Sequence, residues 1–323
     1  MKPVQALLAA VCWGLAALSQ AVAQTGSPVP APGEDDSDVI VVEAPGPELW
    51  RLHDADSEIY ILATIDALPA GFRWNSRPVA AVLERADRLY VSEPVSLGLG
   101  DAARLLVTHR DAIRNPDGVA LEEYLPAGLY RRLAGAAATY GVDMDDLEQW
   151  RPYMAGGQVL GEAVDEAGLE SDGQVLRETR RLARRARVRV QELEFVRAGP
   201  LLNALNTMPL GRDNACLTLQ LDAIEVQIPA LRARASAWAR GNVATLREFA
   251  TLVDSSPCLA GLGGPDLTFE DVERRIVASW RTTLTDGLNR PGTRLALISA
   301  DAFLRPNGIL QQLRAEGYAV EGP

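Results

Sequence analysis

Lysine is almost missing from this chain: Lys2 is the only one in 323 residues. No other lysine exists to form a Schiff base with pyridoxal phosphate or a carbonyl substrate, and no phosphate loop of the Gly-x-x-x-x-Gly-Lys type can be built. Histidine is nearly as scarce, with His53 and His109 alone. A zinc site or a Ser–His–Asp triad would have to recruit one of these two, and neither lies in a motif; surface or capping roles are expected for both. No Gly-x-Ser-x-Gly elbow occurs. The three cysteines, Cys12, Cys216 and Cys258, form no Cys-x-x-Cys pair, which excludes a thioredoxin-like redox site and a zinc knuckle.

Long apolar runs are lacking as well. The longest, Ala6 to Leu18, is interrupted by Ser19 and Gln20 before the ~20 residues a membrane span requires. With Lys2 ahead of it and Ala21-Val22-Ala23 after it, residues 1–23 read as a secretory signal peptide cleaved near Gln24. An uncleaved span is the alternative; Val11 ahead of Cys12 does not make a lipoprotein signal. The expected product is periplasmic or secreted and keeps no stable membrane span. Residues 24–47, rich in Pro, Gly, Ser, Asp and Glu, read as a flexible linker. One large domain is expected over 48–323.

The formal charge is −11, and loss of Lys2 with the leader makes the chain one unit more acidic. That balance argues against nucleic acid as a partner, since phosphate neutralisation needs clustered cations. The one basic cluster, Arg177 to Arg189, falls on an amphipathic helical pattern and reads as a solvated face. Cys216 and Cys258 are an even pair in an oxidising compartment, either bonded to each other or separately buried; a bond would add about 3–4 kcal/mol.

Periodicity gives the organisation. Leu49 to Leu52 and Glu58 to Leu62 alternate around an Asp-Ala-Asp-Ser turn and read as an antiparallel pair. A helix from Val79 to Arg85 and a strand at Leu89 to Val91 follow, an order that implies a parallel pair. Helical patterns cover 101–109, 127–140, 143–147, 152–165, 174–187, 213–228, 231–238, 243–253 and 269–288, with a strand at 188–193 among them. The chain closes with a strand at 294–298, a helix at 307–316 and a strand at 318–321. The expected fold is α/β: a central mixed sheet built from the N- and C-terminal parts, flanked by helices, with a large helical insert between. Gly156-Gly-Gln-Val-Leu-Gly161 lies inside a helical pattern opened by Pro152, so helix packing is expected there rather than nucleotide binding.

Several markers share one order and spacing: Leu49-Trp50, the strand Tyr60-Ile-Leu-Ala-Thr-Ile-Asp-Ala-Leu-Pro69, Ala86-Asp87, Arg151-Pro152-Tyr153, Glu192-Leu-Glu194 and the closing Gly308-Ile-Leu to Val320. In these the chain resembles the TraB/GumN family, which includes the Tiki-like membrane proteases. The resemblance implies two Gly-x-x-His motifs and glutamates holding a divalent metal that activates water for peptide cleavage. Here the first motif reads Ala63-Thr64-Ile65-Asp66 and the second Ser299-Ala300-Asp301-Ala302. The glutamate position holds Ser92, with Glu93 one place late, and a one-residue slip turns a strand side chain to the other face.

Two functional readings follow. In the first, the protein has a degenerate metal site and no cofactor, is non-catalytic or weakly active, and keeps a cleft for a peptide, glycan or protein. In the second, Asp66, Glu93 and Asp301 form a carboxylate site for Mn, Mg or Ca in a metal-dependent, peptidase-like hydrolase.

Overall fold

The computed structural model describes residues 45–65, 67–92, 114–115, 118–170, 173–193, 210–249 and 269–323. The chain enters its sheet through β1 (Leu49–His53) and β2 (Ser57–Thr64), which pair antiparallel around the predicted turn. Asp54 fixes that turn by accepting from the backbone N–H groups of Asp56 and Ser57. A two-residue strand β3 (Leu68–Pro69) follows, then α1 (Arg77–Leu83), whose Pro78 sits at the helix start where a missing N–H is harmless. The strand β4 (Ala86–Ser92) returns to the sheet.

The middle of the chain is helical. It contains α2 (Leu121–Tyr124), α3 (Ala127–Thr139), α4 (Met144–Leu147) and α5 (Pro152–Glu166). After β5 (Leu169–Glu170), which pairs with β3, come α6 (Gln174–Ala186) and strand β6 (Arg189–Leu193). Next are α7 (Leu210–Asp222), a π-helical turn (Ala223–Gln227), α8 (Ile228–Ala239) and α9 (Val243–Phe249). The long α10 (Phe269–Leu288) leads to β7 (Gly292–Ser299), α11 (Ala300–Leu304), α12 (Ile309–Ala315) and β8 (Ala319–Glu321).

The main sheet has the order β6-β4-β7-β2-β1-β8. Strands β6, β4, β7 and β2 run parallel, while β1 is antiparallel to both β2 and β8. The expected α/β class and the sheet built from both chain ends are what the structure has. One detail differs: β2 and β4 are parallel but not neighbours, because β7 lies between them. A strand apolar on both faces, such as β7 with Leu295 to Ile298 all buried, is stabilised most at the sheet centre. The π-helical turn is a second difference, carrying α7 into α8 without the predicted break; Pro229 sits in the first turn of α8. The helix expected at 101–109 and the last residues, 250–253, of the one expected over 243–253 lie outside the described residues.

Two hydrophobic clusters hold the molecule. The larger surrounds the sheet, with Trp50, Ile61, Leu89, Trp238, Trp280, Leu297 and Phe303 buried. The smaller joins the insert helices through Leu133, Leu147, Val159, Leu160, Leu217 and Leu221. Within it α5 is buried nearly all round, and Gly156 lets α7 approach: a β-carbon there would lie 2.6 Å from Leu217 Cδ1. The glycines at Gly156 to Gly161 therefore sit in a helix, with packing demonstrated at Gly156. His53 joins strand ends, its Nε2 lying 3.0 Å from Glu321 Oε1.

Candidate functional site

Parallel strands point their carboxyl ends to one edge of a sheet, and in open α/β sheets that edge is where ligands bind. Here the edge is formed by Thr64 of β2, Ser299 of β7, Ser92 of β4 and Leu193 of β6. Thr64 pairs with Ser299 and Ser92 with Leu193. Thr64 and Ser299, each within an altered motif, therefore stand side by side. Asp66 and Glu93 lie outside the described residues, as do His109 and Cys258; Asp301 and Ala302 are described.

Ala63, at the glycine position of the first motif, is an ordinary buried strand residue. Its carbonyl accepts a 2.6 Å hydrogen bond from the indole Nε1 of Trp238. Trp74 packs edge-on against Trp238, with ring centroids 5.2 Å apart. Thr64 Oγ1 donates to the Ile298 carbonyl at 3.3 Å, tying β2 to β7 at the site.

Ser299 ends β7 and immediately precedes α11, which places Asp301 in the first turn of that helix, where its N-terminus favours a carboxylate. Arg234 Nη2 on α8 donates to Asp301 Oδ1 at 2.6 Å. The arginine side chain is 16% exposed and the aspartate 44%. Arg234 Nε is buried and has no acceptor among the described residues. Arg234 and Trp238 are four apart on α8, so one helical face brings both to the strand ends. Neither was singled out by sequence; their i, i+4 spacing on an otherwise apolar helical pattern was the available signal.

Ala302, at the histidine position of the second motif, packs its methyl against the sheet core. Gly308 supports that turn: a β-carbon there would lie 2.7 Å from the Ala302 carbonyl and 2.8 Å from that of Arg305. The divalent metal implied by the resemblance needs imidazoles or carboxylates at these strand ends. The described residues do not fit it: Thr64 is tied to β7, Ala302 has no donor atom, and the Asp301 carboxylate is held by a guanidinium. Among the described residues no three His, Cys, Asp or Glu side chains converge on one point.

A second polar centre lies in the helical layer. Arg151, capping α5, approaches Asp213 on α7 with Nε–Oδ2 at 2.8 Å and Nη2–Oδ2 at 2.6 Å. Their side chains are 5% and 0% exposed. Burial pushes the Asp213 carboxyl up to about 6, against the pull of Arg151. Burial also raises the Tyr153 phenol, over whose ring the Arg151 guanidinium lies at 5.7 Å. The pair joins two helices of the insert.

A family model described as the TraB/PrgY/gumN family matches residues 48–322. No curated protein and no solved structure matches the chain. With nearly all of the sheet and the helical insert inside the matched span, the chain belongs to the TraB/PrgY/gumN family.

Proposed function

We propose that this is an exported member of the family whose metal site is degenerate, and that it binds a peptide or glycan at the carboxyl ends of its parallel strands without metal-dependent turnover. One observation carries the reading: the Asp301 carboxylate is bound by Arg234 at 2.6 Å. A guanidinium already neutralising that carboxylate competes directly with a divalent cation for the same oxygen, and dissociating the pair would leave a largely buried arginine without its anion. Ala302 and Ser92 at the other motif positions support the reading, because they remove ligating side chains. Trp74, half-buried beside the strand ends and backed by the buried Trp238, supplies the aromatic surface on which an extended ligand would lie.

The export reading rests on the signal-like residues 1–23, with the product periplasmic or secreted. No helix among the described residues is long and apolar enough to cross a membrane. A Cys216–Cys258 disulfide is part of the same proposal, and Cys216 is buried.

The test is an assay of the purified protein against a mixed peptide library with Mn, Mg or Ca, read by mass spectrometry, beside tryptophan fluorescence titrations with peptide and glycan mixtures. Saturable fluorescence changes without metal-dependent cleavage are expected. Metal-dependent products that disappear in Asp301→Asn would establish the alternative, a hydrolase using Asp66, Glu93 and Asp301.

A further inference from the structure

In a chain with 43 Asp and Glu against 32 Lys and Arg, an arginine has abundant carboxylates to choose from. One row of arginines has none among the described residues. Arg189 on β6, Arg88 on β4 and Arg294 on β7 are cross-strand partners, Arg88 standing opposite Arg189 on one side and Arg294 on the other. Adjacent strands lie ~4.8 Å apart, and parallel residues in register leave the same face of the sheet. That face is the one under α10, since a β-carbon on Gly287 would lie 3.5 Å from Arg294 Cδ and 3.3 Å from Tyr90 Oη.

The guanidinium contacts are all to neutral groups. Arg88 Nη1 donates to Gln191 Oε1 at 2.7 Å, and Arg294 donates to the Gly292 and Pro291 carbonyls at 3.2 and 3.4 Å. Arg189 makes no hydrogen bond among the described residues. Asp87, the acidic neighbour of Arg88, is turned toward Gly292. The row is graded in depth: Arg189 is exposed, Arg88 half-buried and Arg294 buried.

Like charges directly opposite one another destabilise a sheet. The solvated-helix explanation accounts for Arg177, Arg180 and Arg181 on α6, which pair with Glu170, Glu192 and Glu178. It does not account for the strand row. A further cation lies two residues ahead of Arg189 in sequence: Arg187, exposed just before β6, adopts φ 59° and ψ 29°, a left-handed position that favours glycine. The sequence thus keeps an arginine where its β-carbon is disfavoured by roughly 1 kcal/mol or more.

We propose that Arg88 and Arg189, backed by buried Arg294, bind a tetrahedral oxyanion: a phosphate or sulfate group, free or esterified in a lipid headgroup. Guanidinium forks match such oxyanions with paired N–H donors, and a multiply charged anion relieves the repulsion along the row better than a single carboxylate can. The site lies at the amino-terminal ends of the parallel strands, the opposite sheet edge from Asp301. It is therefore independent of the carboxyl-end site.

The test compares thermal unfolding in sodium phosphate or sulfate with sodium chloride at matched ionic strength, for the wild type, Arg88→Gln/Arg189→Gln, Arg189→Gln alone and the distant control Arg131→Gln. Phosphate or sulfate is expected to raise the midpoint of the wild type and the control beyond chloride, and not that of the double variant. Calorimetric affinity should fall about tenfold for each arginine removed. In chloride the double variant should melt no lower than the wild type, because repulsion is relieved. Arg189→Gln, which sacrifices no internal bond, keeps the test decisive if the double variant folds poorly. Co-sedimentation with phosphatidylglycerol but not phosphatidylcholine vesicles, lost in the variants, would identify a headgroup; a phosphate response without vesicle capture would identify a soluble ligand. If neither the oxyanions nor the anionic vesicles distinguish wild type from the variants, the proposal fails.

Discussion

Asp301 has two candidate electrostatic partners, a cation from solution and the Arg234 guanidinium, and the second is 2.6 Å away. Arg234 is held among buried groups with its Nε unsatisfied, so it depends on that carboxylate. Asp301→Asn should therefore lower the unfolding free energy by about 1–2 kcal/mol in urea titrations. The Arg151–Asp213 pair is buried more deeply. Arg151→Met should cost about 3–5 kcal/mol, whereas Arg151→Met with Asp213→Leu should recover much of the loss. Asp213 also sets a pH dependence. Its carboxyl is raised from 3.8 to about 6 by burial, so between those values the folded protein keeps a proton that the unfolded chain has released. Its contribution to stability is fully present below pH ~4, falls as pH rises toward ~6, and is flat above. Unfolding free energies of wild type and Asp213→Asn, measured from pH 4 to 7, should diverge across that window and run parallel beyond it. The place of Asp301 at a strand end was legible in the motif spacing. Arg234 was not, because it meets Asp301 from 67 residues away and periodicity carries no information about such pairs. Trp238, 175 residues from Ala63, was hidden for the same reason.

Elements with strong periodicity were legible almost throughout. The helix opened by Pro152 and the strand ending at Ser299 both lie where apolar spacing and breakers put them. Neighbour relations were not: the insertion of β7 between β2 and β4 is a choice among buried apolar strands that share the same local pattern. The π-helical turn at Ala223–Gln227 was also unreadable, since it adds one residue to a turn that itself holds no glycine or proline, and Pro229 beyond it reads as a break between two helices. Close packing of α5 on α7 makes a sharp prediction. Gly156→Ala puts a methyl against Leu217 and Gln220, and should destabilise by about 1–3 kcal/mol in thermal or urea unfolding, although alanine is the better helix former. An unchanged midpoint would mean that the two helices can separate freely.

At the scale of the whole molecule, a sheet closed by both ends of the chain carries a helical insert with its own apolar cluster. The proposed Cys216–Cys258 bond would anchor α7, at the heart of that insert, to a segment that follows α9. Reduction, or Cys216→Ser, should then lower stability by about 3–4 kcal/mol, and adding Cys258→Ser should cause little further loss. Additive effects of the two substitutions would contradict the bond. The sheet edges divide the expected binding roles: altered motifs and tryptophans meet at the carboxyl ends of the parallel strands, and the arginine row, without a carboxylate among the described residues, lies at the amino ends. The central claim is that the carboxyl-end site has exchanged metal ligation for an internal ion pair. Its most direct test is a calorimetric titration of the purified protein with Mn, Mg and Ca, set beside Asp301→Asn. The account predicts no saturable site that depends on Asp301; one metal bound per chain and lost in Asp301→Asn would contradict it.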